Sequence, residues 1–167
     1  MACYADLNQF KPFNDHYGYW RGDEMIRLVS RVLIANCDAR RDFVGHVGGD
    51  DFVVLFQSSD WEHRCERIIE QFNCAAVGLF DAEAHAAGGI MAEDRHGQMR
   101  FHPFTTLSIG AVPVGPGRFR MPEDVASAAA AAKRHAKHHG LGLHLLDPEF
   151  EIAAFAPIKL DPVPGLY

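Results

Sequence analysis

Residues 43–56 read FVGHVGGDDFVVLF, two short β-rich runs, 43–47 and 52–56, held apart by two glycines and two aspartates. Glycine reaches turn conformations that other residues avoid, so the pattern predicts a β-hairpin whose tip carries Asp50 and Asp51. Taken alone, those aspartates are ordinary turn chemistry, since Gly and Asp are the commonest turn residues.

Upstream, residues 3–7 form a short apolar run that delivers Asp6 at its exit, as expected of a buried strand. From Asp23 onward, Met25, Leu28, Val29, Val32 and Leu33 fall on one helical face. Downstream of the hairpin, Ser59 followed by Glu62 reads as a capping box, with Trp61, Cys65, Ile68, Ile69 and Phe72 as the stripe behind it. Residues 81–103 are polar and lack sustained periodicity, an excursion with room for a small hairpin. TTLSIGAVPV (105–114) predicts a central strand that frays at Pro113. Pro122, Glu123 and Asp124 open a third helix that Gly140 closes, and LGLHLL (141–146) gives the last strand. The order is strand, helix, strand, strand, helix, strand, helix, strand: a mixed sheet with helices packed on it.

A chain of 167 residues, 48% hydrophobic and 23% charged, has the balance of one globular domain. The net charge of -6 argues against general nucleic-acid binding. Cys3, Cys37, Cys65 and Cys74 form no CxxC pair and read as reduced thiols of a cytoplasmic protein. No run approaches a membrane span of roughly 18 apolar residues, so no membrane contact is expected.

If the first strand lies beside the hairpin, Asp6 meets Asp50 and Asp51. Gathered carboxylates repel one another, and a hard divalent cation with oxygen ligands is the usual remedy. His135, His138 and His139 share a helix but have no convergent acid or cysteine, so they read as a weakly cationic helix end.

Read as a whole, the spacing resembles that of GGDEF domains, the diguanylate cyclase family. Its landmarks occur in order as Asp6, Phe10-Lys11, Asn14-Asp15, Tyr17-Gly18, Gly22-Asp23, Gly48-Gly49-Asp50-Asp51-Phe52, Ser108-Ile109-Gly110 and Ala136-Lys137. The resemblance implies an α+β fold with the ferredoxin-like βαββαβ core of nucleotidyl cyclases and polymerase palms, and a mainly antiparallel mixed sheet. It implies a domain over residues 1–147 without the family's usual N-terminal DxLT segment, followed by a proline-rich tail over 148–167. Carried over by position, Asp6, the Leu7 carbonyl and Asp50 become ligands of Mg²⁺ or Mn²⁺. Asp50 and Asp51 become the catalytic acids, with Asp51 supporting the metal. Asn14 and Asp23 match the pair that hydrogen-bonds guanine, in keeping with a carboxylate accepting from guanine N1–H and its amino group. Backbone N–H groups of Gln9, Phe10 and Lys11 would cradle phosphates, with Lys11 and Lys137 as their cations.

The chain also departs from the family. Asp51 replaces Glu, Leu141 replaces an Arg whose phosphate contact is worth roughly 1.5–3 kcal/mol, His46 replaces Arg, and Asn8 replaces the second strand-end acid. The product-inhibition motif RxxD is degenerate: Asp42 holds the acid position, while Ala39 stands in the arginine position beside Arg40 and Arg41. The implied reaction joins two GTP molecules, each held by one protomer of a homodimer, into cyclic di-GMP with release of two pyrophosphates. The alternative is a GTP or cyclic di-GMP sensor that regulates an attached sensory or phosphodiesterase domain.

Overall fold

In the computed structural model, which describes residues 1–93, 97–139 and 142–146, the chain runs β1 (Ala2–Asn8), α1 (Phe10–Tyr17), α2 (Tyr19–Asn36), β2 (Phe43–Gly48), β3 (Asp51–Leu55), α3 (Trp61–Ala76) and a 3-10 turn (Val77–Leu79). It continues through α4 (Ala82–Ala87), β4 (Gly89–Glu93), β5 (Met99–Pro103), β6 (Thr106–Val112), α5 (Pro122–His139) and β7 (Leu143–Leu145). Five strands make one sheet in the order β2-β3-β1-β6-β7, and β4 and β5 form a separate hairpin. β1 runs antiparallel to both β3 and β6, β2 is antiparallel to β3, and β7 runs parallel to β6. The expected α+β architecture, with a mixed and mainly antiparallel sheet, is what the chain adopts.

Strand alternation divides the side chains between two layers. Cys3, Ala5 and Leu7 of β1, with Phe52 and Val54 of β3 and Leu107, Ile109 and Ala111 of β6, join Phe13, Met25, Val29, Leu33, Ile68 and Phe72 in the main core. The opposite face holds a smaller cluster of Val112, Ala128, Ala129, Ala132 and Leu146, with Tyr4 and Phe119 against it. Each fully buried large side chain of the main core contributes roughly 1.5–3 kcal/mol, so that layer supplies most of the drive to fold. The thin alanine face is free to serve another purpose. Asp6, one step on from Ala5, belongs to it.

Several local expectations need correction. Helix begins at Phe10 rather than Asp23, and Asn14 stands on it. Gly18, at φ 81°, is the break between the two helices, and its N–H donates to the Asn14 carbonyl. The capping box at Ser59 does not form: Asp60 is the N-cap and its carboxylate accepts from Arg64 instead. The excursion holds α4 as well as the hairpin, because Asp81 caps the Ala84 N–H. Gly140, Leu141 and the tail after Leu146 lie outside the described residues.

Candidate functional site

The hairpin turn is short because Gly48 pairs with Asp51, leaving only Gly49 and Asp50 to connect the strands. Gly48 at φ 151° and Gly49 at φ 57° take conformations that an L side chain resists. His46 braces the tip from one side, its Nε2 2.9 Å from the Gly49 carbonyl oxygen and its ring stacked on Phe52. The register of β1 against β3 pairs Ala5 with Phe52, which brings the exit of β1 beside the start of β3. Asp6 and the two turn aspartates therefore share one corner of the sheet. Burial, and next the charge of Asp6, hold the Asp50 carboxyl above the usual carboxylate range.

α5 closes this corner. A Cβ at Gly110 would stand 2.1 Å from the Lys133 backbone nitrogen, so the bare glycine lets the helix backbone rest directly on β6. Buried Ala128, Ala129, Ala132 and Ala136 keep the approach close along the helix. Two lysines one helical turn apart are thereby set over β1. Lys133 Nζ lies 2.8 Å from Asp6 Oδ2 and 2.7 Å from Asp51 Oδ1, and 4.8 Å from the centre of the Tyr4 ring. Lys137 pairs with Asp6 Oδ1. Burial lowers the affinity of Lys133 for its proton, but the bonds to Asp51 and Asp6 outweigh it and hold the ammonium above the usual lysine range. Asn8, the next residue of β1 on this face, is engaged elsewhere, donating to Thr106 Oγ1 at 2.9 Å and Ser108 Oγ at 2.8 Å.

Where β1 gives way to α1, Gln9 takes a left-handed conformation, φ 60° and ψ 20°. Such a conformation is uncommon for a residue with a side chain. It turns the chain so that the first N–H groups of α1 follow at once on the acidic corner, since no side chain caps them. Gln9 Oε1 is tied to His102 Nδ1 of the second hairpin at 2.9 Å, and Lys11 pairs with Asp15 on the exposed side of α1. One turn later, the Asn14 side-chain oxygen is buried without a hydrogen-bond partner. A Cβ at Gly22 would lie 2.0 Å from it, so this glycine makes the space that Asn14 occupies. Asp23, the next residue, is exposed. The structure thus brings Asn14 and the Gly22-Asp23 step together at the α1/α2 junction.

Arg40, Arg41 and Asp42 lie at the other end of the hairpin. The Asp42 carboxylate accepts from the backbone N–H groups of Asp38, Gln57 and Ser58 and from the Ser58 hydroxyl. Partial burial works against ionisation there, but those N–H donors outweigh it and hold Asp42 below the usual range. Arg41 donates to the Gln57 carbonyl at 3.1 Å. Asp42 and Arg41 are thus tied into the fold. A shallow cavity of 440 Å³ between α3 and β7 is lined by Glu62, Glu66 and Glu70 with Ile69, Leu143 and Leu145. Its acidic lining suits no phosphate and it takes no part in the corner.

Sequence reasoning gave Lys137 to phosphate and missed Lys133. The signal was present: Lys133 and Lys137 are spaced i and i+4 on a helix whose other inward positions are alanine. In kind, the donors suit a hard divalent ion, since Asp6, Asp50 and Asp51 supply carboxylate oxygens and the Asp50 carboxyl is crowded by like charge. Among the described residues, however, no three His, Cys, Asp or Glu side chains already converge as a metal cluster. Asp6 and Asp51 are paired with the ammonium groups of Lys133 and Lys137.

Residues 1–77 match the family model described as "Diguanylate cyclase, GGDEF domain". The cyclic di-GMP phosphodiesterase PdeR of Escherichia coli is 33% identical over 100 residues, covering 58% of this chain and 15% of the relative. A diguanylate cyclase of Vibrio cholerae is 30% identical over 89 residues, covering 51% of this chain and 27% of the relative. The chain therefore spans less than a third of the length of these curated relatives. Among solved structures, the GGDEF domain of DgcB from Caulobacter crescentus in complex with c-di-GMP superposes with a TM-score of 0.59 at 22% identity, covering 86% of this chain and 75% of that one. An EAL/GGDEF domain protein from M. capsulatus gives 0.61 at 22% identity, over 88% and 84%. At these identities the structural likeness speaks for the fold.

Proposed function

Because the chain belongs to the GGDEF domain family, we propose that it is a cyclic di-GMP signalling domain of the cytoplasm that binds GTP and acts as a diguanylate cyclase. The observation that carries this reading is the meeting of Asp6 with Asp50 and Asp51 beside the uncapped start of α1. Bound there, Mg²⁺ or Mn²⁺ would neutralise phosphate oxygens and ease loss of the 3′-hydroxyl proton. Asp6, the Leu7 carbonyl and Asp50 would hold it, with Asp51 beside them.

The chain's own residues then do the positioning. N–H groups of Gln9, Phe10 and Lys11 receive the phosphates, helped by the partial positive charge of the α1 terminus. The guanine base lies at the α1/α2 junction, where Asn14 has a buried oxygen in need of a donor and the exposed Asp23 accepts from the ring. Each protomer holds one GTP, so synthesis requires a second copy opposite the first, each 3′-hydroxyl attacking the other nucleotide's α-phosphate as pyrophosphate leaves. We assign the domain to residues 1–147, with the full protein joining it to sensory or phosphodiesterase domains.

A specific observation favours the sensor as a second reading: Asp6 and Asp51 are already paired with Lys133 and Lys137. Incubation with GTP and Mg²⁺ followed by chromatography, beside a GTP titration, separates the two. Product with binding is the expected result; binding without product gives the sensor, and no binding ends both. In the same titration, Asn14→Ala with Asp23→Ala is expected to weaken GTP binding by about tenfold or more, the worth of one or two charge-assisted hydrogen bonds. The unfolding midpoint without nucleotide should hardly move. An equal loss of stability in the nucleotide-free protein would make these residues parts of the fold instead.

A further inference from the structure

Lys133 is the most constrained cation of the acidic corner. Its side chain is only 15% exposed and bridges two carboxylates from different strands, Asp6 of β1 and Asp51 at the start of β3. Its backbone cannot draw back from the corner, because it rests on Gly110 with no room between. Asp6 is itself 8% exposed by side chain, with one oxygen toward Lys133 and the other toward Lys137. Two ammonium groups thus pair with Asp6 and Asp51, and with Asp50 beside them the three carboxylates outnumber the cations by one.

An ammonium and a divalent ion cannot use the same carboxylate oxygens at once. A fixed cation between them lowers the pull on a second cation, by Coulomb repulsion and by occupying lone pairs in a partly desolvated place. We propose that Lys133 is a tethered competitor of the divalent ion: it fills the acidic corner in the resting chain, and the ion binds only by displacing its ammonium from Asp6 and Asp51. This rests on the reading of Asp6, Asp50 and Asp51 as the ion's ligands. The consequence is regulatory. The corner is held together without metal, and its occupancy is set to a higher ion concentration than three carboxylates alone would need.

The test is a Mn²⁺ titration of the whole chain without nucleotide, read by the loss of the free-ion electron paramagnetic resonance signal. Lys133→Met is expected to tighten Mn²⁺ binding by about tenfold or more, whereas Lys133→Arg, which keeps the charge, should stay within about threefold of wild type. Mn²⁺ should also raise the unfolding midpoint of Lys133→Met more than that of wild type, since the ion then supplies the missing charge. Should the methionine variant fail to fold, Lys133→Gln removes the charge while keeping a donor for the carboxylates.

A folded neutral variant with wild-type affinity overturns the proposal, as does equal tightening by arginine. Asp50→Asn distinguishes the failures. If it weakens Mn²⁺ binding in the otherwise wild-type chain, the ligand assignment survives the loss of the Lys133 proposal; if it does not, the assignment falls too. In the Lys133→Met background it must remove the gain, and a gain that persists would put the ion elsewhere and overturn both.

Discussion

The hairpin of β2 and β3 has an aspartate at each end, and the two are treated in opposite ways. At the base, Asp42 is surrounded by neutral donors: three backbone N–H groups and a hydroxyl converge on it, and its carboxyl is held low. At the tip, Asp50 has the carboxylates of Asp6 and Asp51 for neighbours, and burial, then the charge of Asp6, holds it high against the pull of Lys137. Satisfied hydrogen bonds make a carboxylate a structural part. Burial and like charge leave a carboxyl that costs stability, the pattern that marks chemical sites.

The strongest way to break that contrast is Asp50→Asn. If the tip serves chemistry, cyclic di-GMP output should fall on the order of a hundredfold or more, because several kcal/mol of charge stabilisation depend on the ligand set. The fold should not suffer. Taking one charge from a repelling group is expected to leave the unfolding midpoint unchanged or to raise it by about 2 °C. Retained output in the folded variant would remove Asp50 from the site, and a sharp loss of stability would erase its difference from Asp42.

How much of this was legible beforehand depended on the range of the interaction. The hairpin tip, the β1 exit and α5 are written locally, in GGDD, in an apolar run ending at Asp6, and in the bracket from Pro122 to Gly140. The start of α1 was hidden although Phe10, Phe13 and Tyr17 recur at i, i+3 and i+7, because the helix has only eight residues and Phe13 is its one fully buried side chain, so tertiary packing holds it. The Ser59 capping box failed because the helix begins one residue later, with Asp60 at the N-cap and its carboxylate paired with Arg64. Lys133 was the costliest miss for the site. A lysine on a helix is by default solvated; the i, i+4 spacing with Lys137 among inward alanines was a faint signal, and the contact of Gly110 with α5 shows that this one is pressed inward onto β1.

The opposite substitution, Asp42→Ala, should act on the fold first. It strands the N–H groups of Asp38, Gln57 and Ser58 around a hole and releases the loop that leads into β2. The expected cost is about 2–3 kcal/mol, since bonds to an ionised acceptor are the strong ones but this turn is partly solvated. Thermal unfolding would show it as a midpoint lower by roughly 4–10 °C. Loss of cyclic di-GMP affinity with stability intact would instead return Asp42 to a product-binding role with Arg40 and Arg41.

The smallest effect is the most diagnostic of why Asp42 matters. Its folded carboxyl lies below the ordinary aspartate value of about 3.9. A group shifted in that direction contributes stability that is complete above the unfolded value and is lost as pH falls through the folded one. Asp42→Asn keeps the shape and one acceptor oxygen but never carries the charge, so it lacks that contribution at every pH. Urea unfolding should therefore find wild type ahead of the variant by about 1 kcal/mol between pH 5 and 7. The gap should narrow below about pH 4 as wild-type Asp42 takes up its proton. A gap that stays constant with pH would mean that shape rather than charge holds the turn, and the two ends of the hairpin would then differ in packing and not in electrostatics.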